Sequence, residues 1–213
     1  MLKNFLSFYL KMQSVKISDK KALSGAARVI NAGGIVVCPT DTVYGFLADA
    51  GNKKAIEKIF KIKKRPKSKP LPVFVSGIKQ AKQIAEISKE QEKILKKHWP
   101  GKFTFILRIK KKIEFGTLSN LVVGRGNTIG IRIPKHKFLL SLLKKFGKPL
   151  AQTSVNISGR PELDEIEDIA GLCQNFVSSG LTKFLIVDGG CLPKRKPSTI
   201  IDLSKNKTKI LRK

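Results

Sequence analysis

The stretch GGIVVCPTDTVYGFLADAGNKKAIEKIFKIKKRPKSKPLP, residues 33–72, strings together a short apolar run, a hydroxyl-rich turn, a helix-periodic segment and a cationic loop. Gly33-Gly34 stops a preceding helix, because glycine accepts the left-handed conformation that such a stop needs. Ile35-Val36-Val37 then reads as a short buried strand ended by Pro39. Thr40-Asp41-Thr42 follow directly, where α/β sheets commonly place their ligands. Residues 52–64 carry Ala55, Ile56, Ile59, Phe60 and Ile62 at near-helical spacing, with Asn52 as N-cap. Lys61, Lys63, Lys64, Arg65, Lys67 and Lys69 follow with no carboxylate among them, and Pro66, Pro70 and Pro72 hold that backbone extended. Cations at a solvated helix end complement its dipole; the flanking prolines argue instead for a stiff loop that holds Lys and Arg toward an anion. In an extended segment Lys64 points away from Lys63 and Arg65.

Upstream, Ser18 and Asp19 offer an N-cap for a helix that buries Ala22, Leu23, Ala26, Ala27 and Ile30. Downstream, residues 72–75 read as a strand and Ser76 caps a helix through Ile87. A further helix spans 89–98 and breaks at Trp99-Pro100-Gly101. Residues 103–109 alternate as a strand, and 110–127 are the least legible part. Gly124-Arg125-Gly126 leads into a strand over 128–133, where a dinucleotide fingerprint requires a helix. After a helix over 138–146 and a strand over 150–153, Ser154-Val155-Asn156 again falls at a strand end. The acidic residues Glu162, Asp164, Glu165, Glu167 and Asp168 start a helix, as negative charge suits its N-terminus. Strands over 184–187, 199–202 and 209–211 finish the chain. Strands alternating with helices argue for an α/β twisted sheet, with no repeat and no linker long enough to divide it.

A chain of 213 residues is enough for one domain, or at most a domain and an appendage, and such a length can bury about 70% of its unfolded surface. Its net charge of +28 points to a polyanionic partner such as RNA, to an anionic membrane surface, or to a lysine-biased proteome. Cys38, Cys173 and Cys191 are far apart and odd in number, which fits a reducing cytoplasm and no disulfide framework. Residues 1–14 are an N-terminal extension, flexible or non-native. Their apolar patch from Phe5 to Leu10 is too short to span a bilayer and lacks a signal-peptide cleavage site, and Met12 is a candidate start. No GxxxxGK[ST], HExxH or GxSxG occurs, which removes the usual support for P-loop, zinc-protease and hydrolase chemistry. His98 and His136 are isolated and suit surface or dipole-capping roles.

Several blocks taken together resemble, in order and spacing, the signature of the YrdC-like family: Pro39-Thr40-Asp41-Thr42-Val43-Tyr44-Gly45, Lys63-Lys64-Arg65-Pro66 and Ser154-Val155-Asn156-Ile157-Ser158-Gly159. His98-Trp99-Pro100-Gly101, Gly130-Ile131-Arg132-Ile133-Pro134, Gly147-Lys148-Pro149-Leu150 and Pro197-Ser198-Thr199-Ile200-Ile201-Asp202 extend it over nearly everything after Val15. The resemblance implies a YrdC-like domain over 15–213: an α/β single-domain twisted open sheet of mixed strands with flanking helices and a basic concave face. Short members of that family are threonylcarbamoyl-AMP synthases. The resemblance implies a nucleotidyltransferase that makes threonylcarbamoyl-adenylate from L-threonine, bicarbonate or CO2 and ATP, releasing pyrophosphate. The product serves N6-threonylcarbamoyladenosine formation at position 37 of tRNA, through a separate tRNA threonylcarbamoyl transferase complex.

Carried onto matching positions, Lys63, Arg65, Ser154 and Asn156 form the catalytic set, with Lys63 and Arg65 on phosphates and carbamate. Thr42, Arg132 and Ser198 contact threonine; Arg65, Lys69, Thr128, Ser154 and Arg212 contact ATP, and Mg2+ enters with the nucleotide near Ser154 and Asn156 rather than in a protein cage. Arg132 is expected at a strand end on the same sheet edge as the other blocks. Phe46-Leu47 stands where relatives usually show Leu-Gly, and Val155 replaces the usual Ala, which bears on pocket width. Two other readings stand beside this one: a non-catalytic double-stranded RNA or tRNA-binding module, and a paralogue that adenylates a different carbamate. The first suits the charge but finds little aromatic surface, 7% of residues, for base stacking.

Overall fold

The computed structural model describes residues 13–113, 116, 118–178, 183–193, 195–205 and 208–212. In chain order its elements are β1 (Gln13–Lys16), α1 (Ala22–Asn31), β2 (Ile35–Cys38), β3 (Gly45–Asp49), α2 (Lys53–Lys63), β4 (Val73–Phe74), α3 (Ile78–Ile84), α4 (Lys89–His98) and β5 (Phe103–Arg108). They continue with β6 (Val123–Gly124), β7 (Thr128–Arg132), α5 (Lys137–Phe146), β8 (Leu150–Ser154), α6 (Ile166–Ser178), β9 (Phe184–Asp188), β10 (Thr199–Asp202) and β11 (Lys209–Arg212). The strands form one mixed sheet in the order β1-β9-β2-β3-β8-β4-β7-β5-β10-β11, with β6 paired to β7. The helix-flanked α/β sheet is what the alternation of elements predicts, and its mixed strands are what the resemblance implies.

All four residues of β2 are buried, so both faces of the sheet are covered there. Ile35 and Val37 join Phe46, Ile56, Ile59 and Ile131 in one cluster, while Val36 and Cys38 join Leu47, Phe74, Leu142 and Leu185 in another. Alternation along each strand thus feeds two cores, roofed on one side by α2 and on the other by α1 and α5. Each buried Ile or Leu of these clusters contributes on the order of 1.5–3 kcal/mol.

Local chemistry explains most boundaries. Asn52 accepts from the Ala55 amide at 3.0 Å and caps α2. Ser88 and Gln91 form a reciprocal capping box at the start of α4. His136 caps α5, and Gly33 takes φ 71° after α1.

Four expectations change, and one strand is new. The helix expected from Ser18-Asp19 starts at Ala22 with no side-chain cap, because Asp19 instead accepts from Lys21 N in a local turn at 2.7 Å. Ser76 does not cap α3, which ends at Ile84 rather than Ile87, since Ala85 leaves it to bridge Ile109. Glu162, Asp164 and Glu165 precede α6, and only Glu167 and Asp168 fall in its first turn. The segment after Tyr44 is a strand, β3, inserted antiparallel between β2 and β8. Finally, β1 begins at Gln13 and pairs in parallel with β9, so Gln13 and Ser14 are part of the sheet. Residues 1–12, with the Phe5 to Leu10 patch, lie outside the described residues.

The β3 insertion positions the site. Gly45 is opposite Cys38 on one side and Ser154 on the other, so the turn after β2 and the turn after β8 emerge side by side.

Candidate active site

Lys63 is the last residue of α2, and it is 2% exposed. Its ammonium donates to the Ser154 carbonyl at 2.6 Å, to the Asn156 carbonyl at 3.1 Å and to Asn156 Oδ1. All three protons of the ammonium are therefore used by the Ser154–Asn156 turn. Ser154 Oγ donates to the same Oδ1 at 2.9 Å, and Asn156 Nδ2 donates to the Arg160 carbonyl at 2.6 Å. Ser158 N in turn donates to the Lys63 carbonyl at 2.8 Å, and the buried Ser158 hydroxyl beside it has no hydrogen-bond partner among the described residues. Burial, then the nearby Arg65, push the Lys63 pKa down to about 8, while Glu162 pulls it up.

The cationic loop after α2 is bent where an extended path is expected. Lys64 is left-handed at φ 48°, and its amide and that of Arg65 return to the Lys61 and Phe60 carbonyls. The alternation that would point Lys64 away from Lys63 and Arg65 is absent; Lys64 is an exposed helix cap instead. Arg65 staples the loop: Nε donates to the Lys69 carbonyl at 2.8 Å and a terminal nitrogen to the Pro70 carbonyl at 3.2 Å. Its pKa is lowered by burial and by Arg212, which places a second guanidinium close by.

Arg132, at the end of β7, is 1% exposed. Its guanidinium donates to Asp41 Oδ1 at 2.6 Å, to the Gly101 carbonyl at 2.9 Å and, more weakly, to Thr42 Oγ1 at 3.4 Å, and it lies over the Phe74 ring. Burial lowers its pKa and Asp41 opposes that. Asp41 Oδ2 also accepts from Lys135 N at 3.1 Å, and its carbonyl accepts from Arg195 at 3.2 Å. Thr40 and Thr42 complete the turn, hydroxyl to hydroxyl at 3.0 Å.

The shared sheet edge expected for Arg132 is not what the register shows. β8 runs antiparallel to β4 and β4 parallel to β7, so Arg132 and Ser154 sit at opposite strand ends. Arg132 instead reaches the site through the turn after β2, where it meets Asp41 and Thr42.

Ser198, just before β10, is buried with its hydroxyl 2.9 Å from that of Thr104. Arg212, on β11, donates to the Ser198 carbonyl from Nε at 3.0 Å and from a terminal nitrogen at 2.8 Å. Burial lowers its pKa, Glu162 raises it and Arg132 lowers it. The loop between β9 and β10 is anchored at its start by the buried Tyr44, whose hydroxyl donates to the Gly190 carbonyl at 2.7 Å and accepts from Gly189 N at 3.0 Å. A side chain at Gly189 would run into Pro39.

Lys63, Ser154 and Asn156 are thus in direct contact, as are Thr42 with Arg132 and Ser198 with Arg212; Arg65 joins electrostatically through Arg212. Lys69 is exposed and meets the set only through its carbonyl. Thr128 donates to the Arg125 carbonyl at 3.0 Å, within its own hairpin turn, and makes no hydrogen bond to the others. Sequence reasoning placed none of Asp41, Tyr44, Glu162 and Arg195 in the site, and gave Glu162 only a helix-starting role. Only the acidic residue between two threonines at a strand end gave a signal that could have found one of them.

The family model described as telomere recombination, which spans the Sua5, YciO and YrdC proteins, matches residues 28–213. This chain belongs to the Sua5/YciO/YrdC family. Threonylcarbamoyl-AMP synthase of Bacillus subtilis is 32% identical over 191 residues, covering 89% of this chain and 52% of that protein. The structure of Pyrococcus abyssi Sua5 complexed with L-threonine superposes with a TM-score of 0.79 at 30% identity, over 94% of this chain and 56% of that one. Escherichia coli YciO shares the fold at a TM-score of 0.78 and 24% identity, over 95% of this chain and 93% of that one. The Sua5/YciO/YrdC chain described here spans about half the length of the curated synthases it matches.

Proposed function

We propose that this protein is a threonylcarbamoyl-AMP synthase: L-threonine and bicarbonate or CO2 give a carbamate, whose oxygen attacks the α-phosphate of ATP and displaces pyrophosphate. The observation that carries this reading is a cluster of cations: Lys63, bonded to the Ser154–Asn156 turn, lies near Arg65, Arg65 near Arg212, and Arg212 near the Arg132 that pairs with Asp41. The attacking carbamate oxygen is already anionic, so the site has no need of a nucleophile or strong base. What it must supply is positive charge around the α-phosphate and in-line positioning. Lys63, Arg65 and Arg212 are the groups for that, while Thr42, Arg132 and Ser198 are those for threonine. Arg132 reaches the amino acid through the nitrogen it directs at Thr42, since Asp41 and Gly101 take its other faces. Lys69 and Thr128 bound the nucleotide from further out.

ATP is taken with Mg2+, whose double charge would neutralise phosphate oxygens. Asn156 Oδ1 already accepts from Lys63 and Ser154, so the ion would be held chiefly by the phosphates, with the Ser154 hydroxyl the nearest neutral oxygen. The adenylate passes to a tRNA threonylcarbamoyl transferase complex, and the +28 charge suits contact with tRNA in the cytoplasm. Among the described residues no helix is long and apolar enough to cross a membrane. Mass spectrometry of the protein incubated with ATP, Mg2+, bicarbonate and L-threonine tests the reading: threonylcarbamoyl-AMP is the expected product, and its absence with AMP and pyrophosphate formed from ATP alone would contradict it.

A further inference from the structure

A cavity of about 370 Å³ is lined by Thr42 together with residues that the reaction scheme leaves unused. Its walls come from three separate segments: Thr42 and Val43 after β2, Glu162, Leu163 and Asp164 after β8, and Leu192 with Arg195 from the loop between β9 and β10. The charges are mixed. One segment supplies two carboxylates, another a guanidinium, and leucine side chains lie among them.

Arg195 is exposed, and among the described residues its single hydrogen bond is from Nη1 to the Asp41 carbonyl. Its remaining donors are open to a ligand. Glu162 makes no hydrogen bond or close ion pair among the described residues, yet it is near enough to Lys63 and Arg212 to raise the pKa of both. The Glu162 end of the cavity therefore faces the cations proposed for the nucleotide, and Arg195 holds another part of its wall.

A lone anion in this cavity would meet two carboxylates, a lone cation would meet Arg195, and an apolar ligand would strip water from three charges without repaying them. A small zwitterion satisfies all of them at once. We propose that the cavity is an outer docking subsite for the free α-amino acid, with Arg195 taking its carboxylate and Glu162 its ammonium. The proposal rests on the synthase reading and deepens it. Arg132 is sealed at 1% exposure with Asp41 and Gly101 on its donors, so an amino acid arriving from solvent meets Arg195 first. Thr42 belongs to both places: it lines the cavity and lies 3.4 Å from Arg132. Docked this way the amino acid turns its nitrogen toward Lys63, the end at which a carbamate must form if it is to reach the nucleotide.

Calorimetric titration of the full chain with L-threonine in the absence of nucleotide tests the subsite. Each of Arg195→Ala and Glu162→Gln is expected to weaken threonine by about tenfold or more, the usual size of one lost charge-assisted contact. ATP affinity, measured separately, stays within about twofold for Arg195→Ala and does not fall for Glu162→Gln, which removes a negative charge beside Lys63 and Arg212. L-threonine amide, lacking the carboxylate, is weaker in the parent and insensitive to Arg195→Ala. No threonine binding to the parent without nucleotide, unchanged threonine affinity in both variants, or equal losses of threonine and ATP would each overturn the subsite. Product formation by the parent, followed independently, shows whether the synthase reading stands when the subsite fails.

Discussion

Lys63 and Asn156, 93 positions apart, are joined twice: the lysine ammonium donates to both the side-chain oxygen and the backbone carbonyl of the asparagine. The end of a helix is thereby locked to the turn after β8. The two signature blocks are one mechanical unit before any ligand arrives.

That unit should titrate. With three oxygens around it, Nζ satisfies all of them only as an ammonium, and burial has brought its pKa to about 8. Between about pH 8 and pH 10.4 the unfolded chain keeps a proton that the folded chain has lost, so this group's contribution to stability rises with pH across that window. Below pH 8 its burial cost is fully present. Binding moves the other way, because the positive charge disappears as pH rises through 8. ATP affinity is expected to fall along a limb centred near pH 8, measured by titration at fixed Mg2+, and Lys63→Met is expected to lack the limb. An unchanged limb in Lys63→Met assigns it to another group.

Arg65 and Lys64 are neighbours with opposite expectations. Arg65→Lys keeps the charge but cannot hold both the Lys69 and Pro70 carbonyls, so the loop loosens and a bidentate phosphate contact is lost. Turnover should fall by on the order of 2–4 kcal/mol, roughly 30- to 1,000-fold. Lys64 carries the strain of a left-handed residue that is not glycine. Lys64→Gly should stabilise by about 0.5–1 kcal/mol, seen as roughly 1–4 °C in thermal unfolding, with activity retained.

The Asp41–Arg132 pair predicts a different signature. Asp41→Asn leaves a guanidinium buried at 1% exposure without its counter-charge, which costs about 3–5 kcal/mol. Adding Arg132→Gln should cost less than the sum of the two single changes, since the second removes the stranded charge. Chemical denaturation of the four proteins of that cycle measures the coupling, and strict additivity would mean that the pair does not act as one.

Much of this architecture was readable from residue pattern. The buried run 35–37, the Asn52 cap, the helix over 89–98 and the strand leading into Ser154 follow from local propensity, which neighbouring structure here does not override. β3 was hidden because Gly45–Asp49 is too short and too evenly apolar to show alternation; all but its last residue are buried by pairing on both edges. The bend at Lys64 was hidden because prolines downstream suggested an extended path, whereas the helix C-terminus demanded satisfied carbonyls. Lys63, Ser154 and Asn156 were found together through the resemblance, but the meeting of Arg132 with Asp41 joins segments 91 positions apart, and no local pattern contains it.

The central claim is an acceptor-dependent attack on ATP, and pyrophosphate release measures it most directly. Release should require L-threonine and bicarbonate together and should be near background when either is omitted, because the carbamate must exist before it can attack the α-phosphate. Asn156→Ala should lower the rate while Lys64→Ala leaves it close to the parent. Pyrophosphate release that proceeds without threonine would contradict the account.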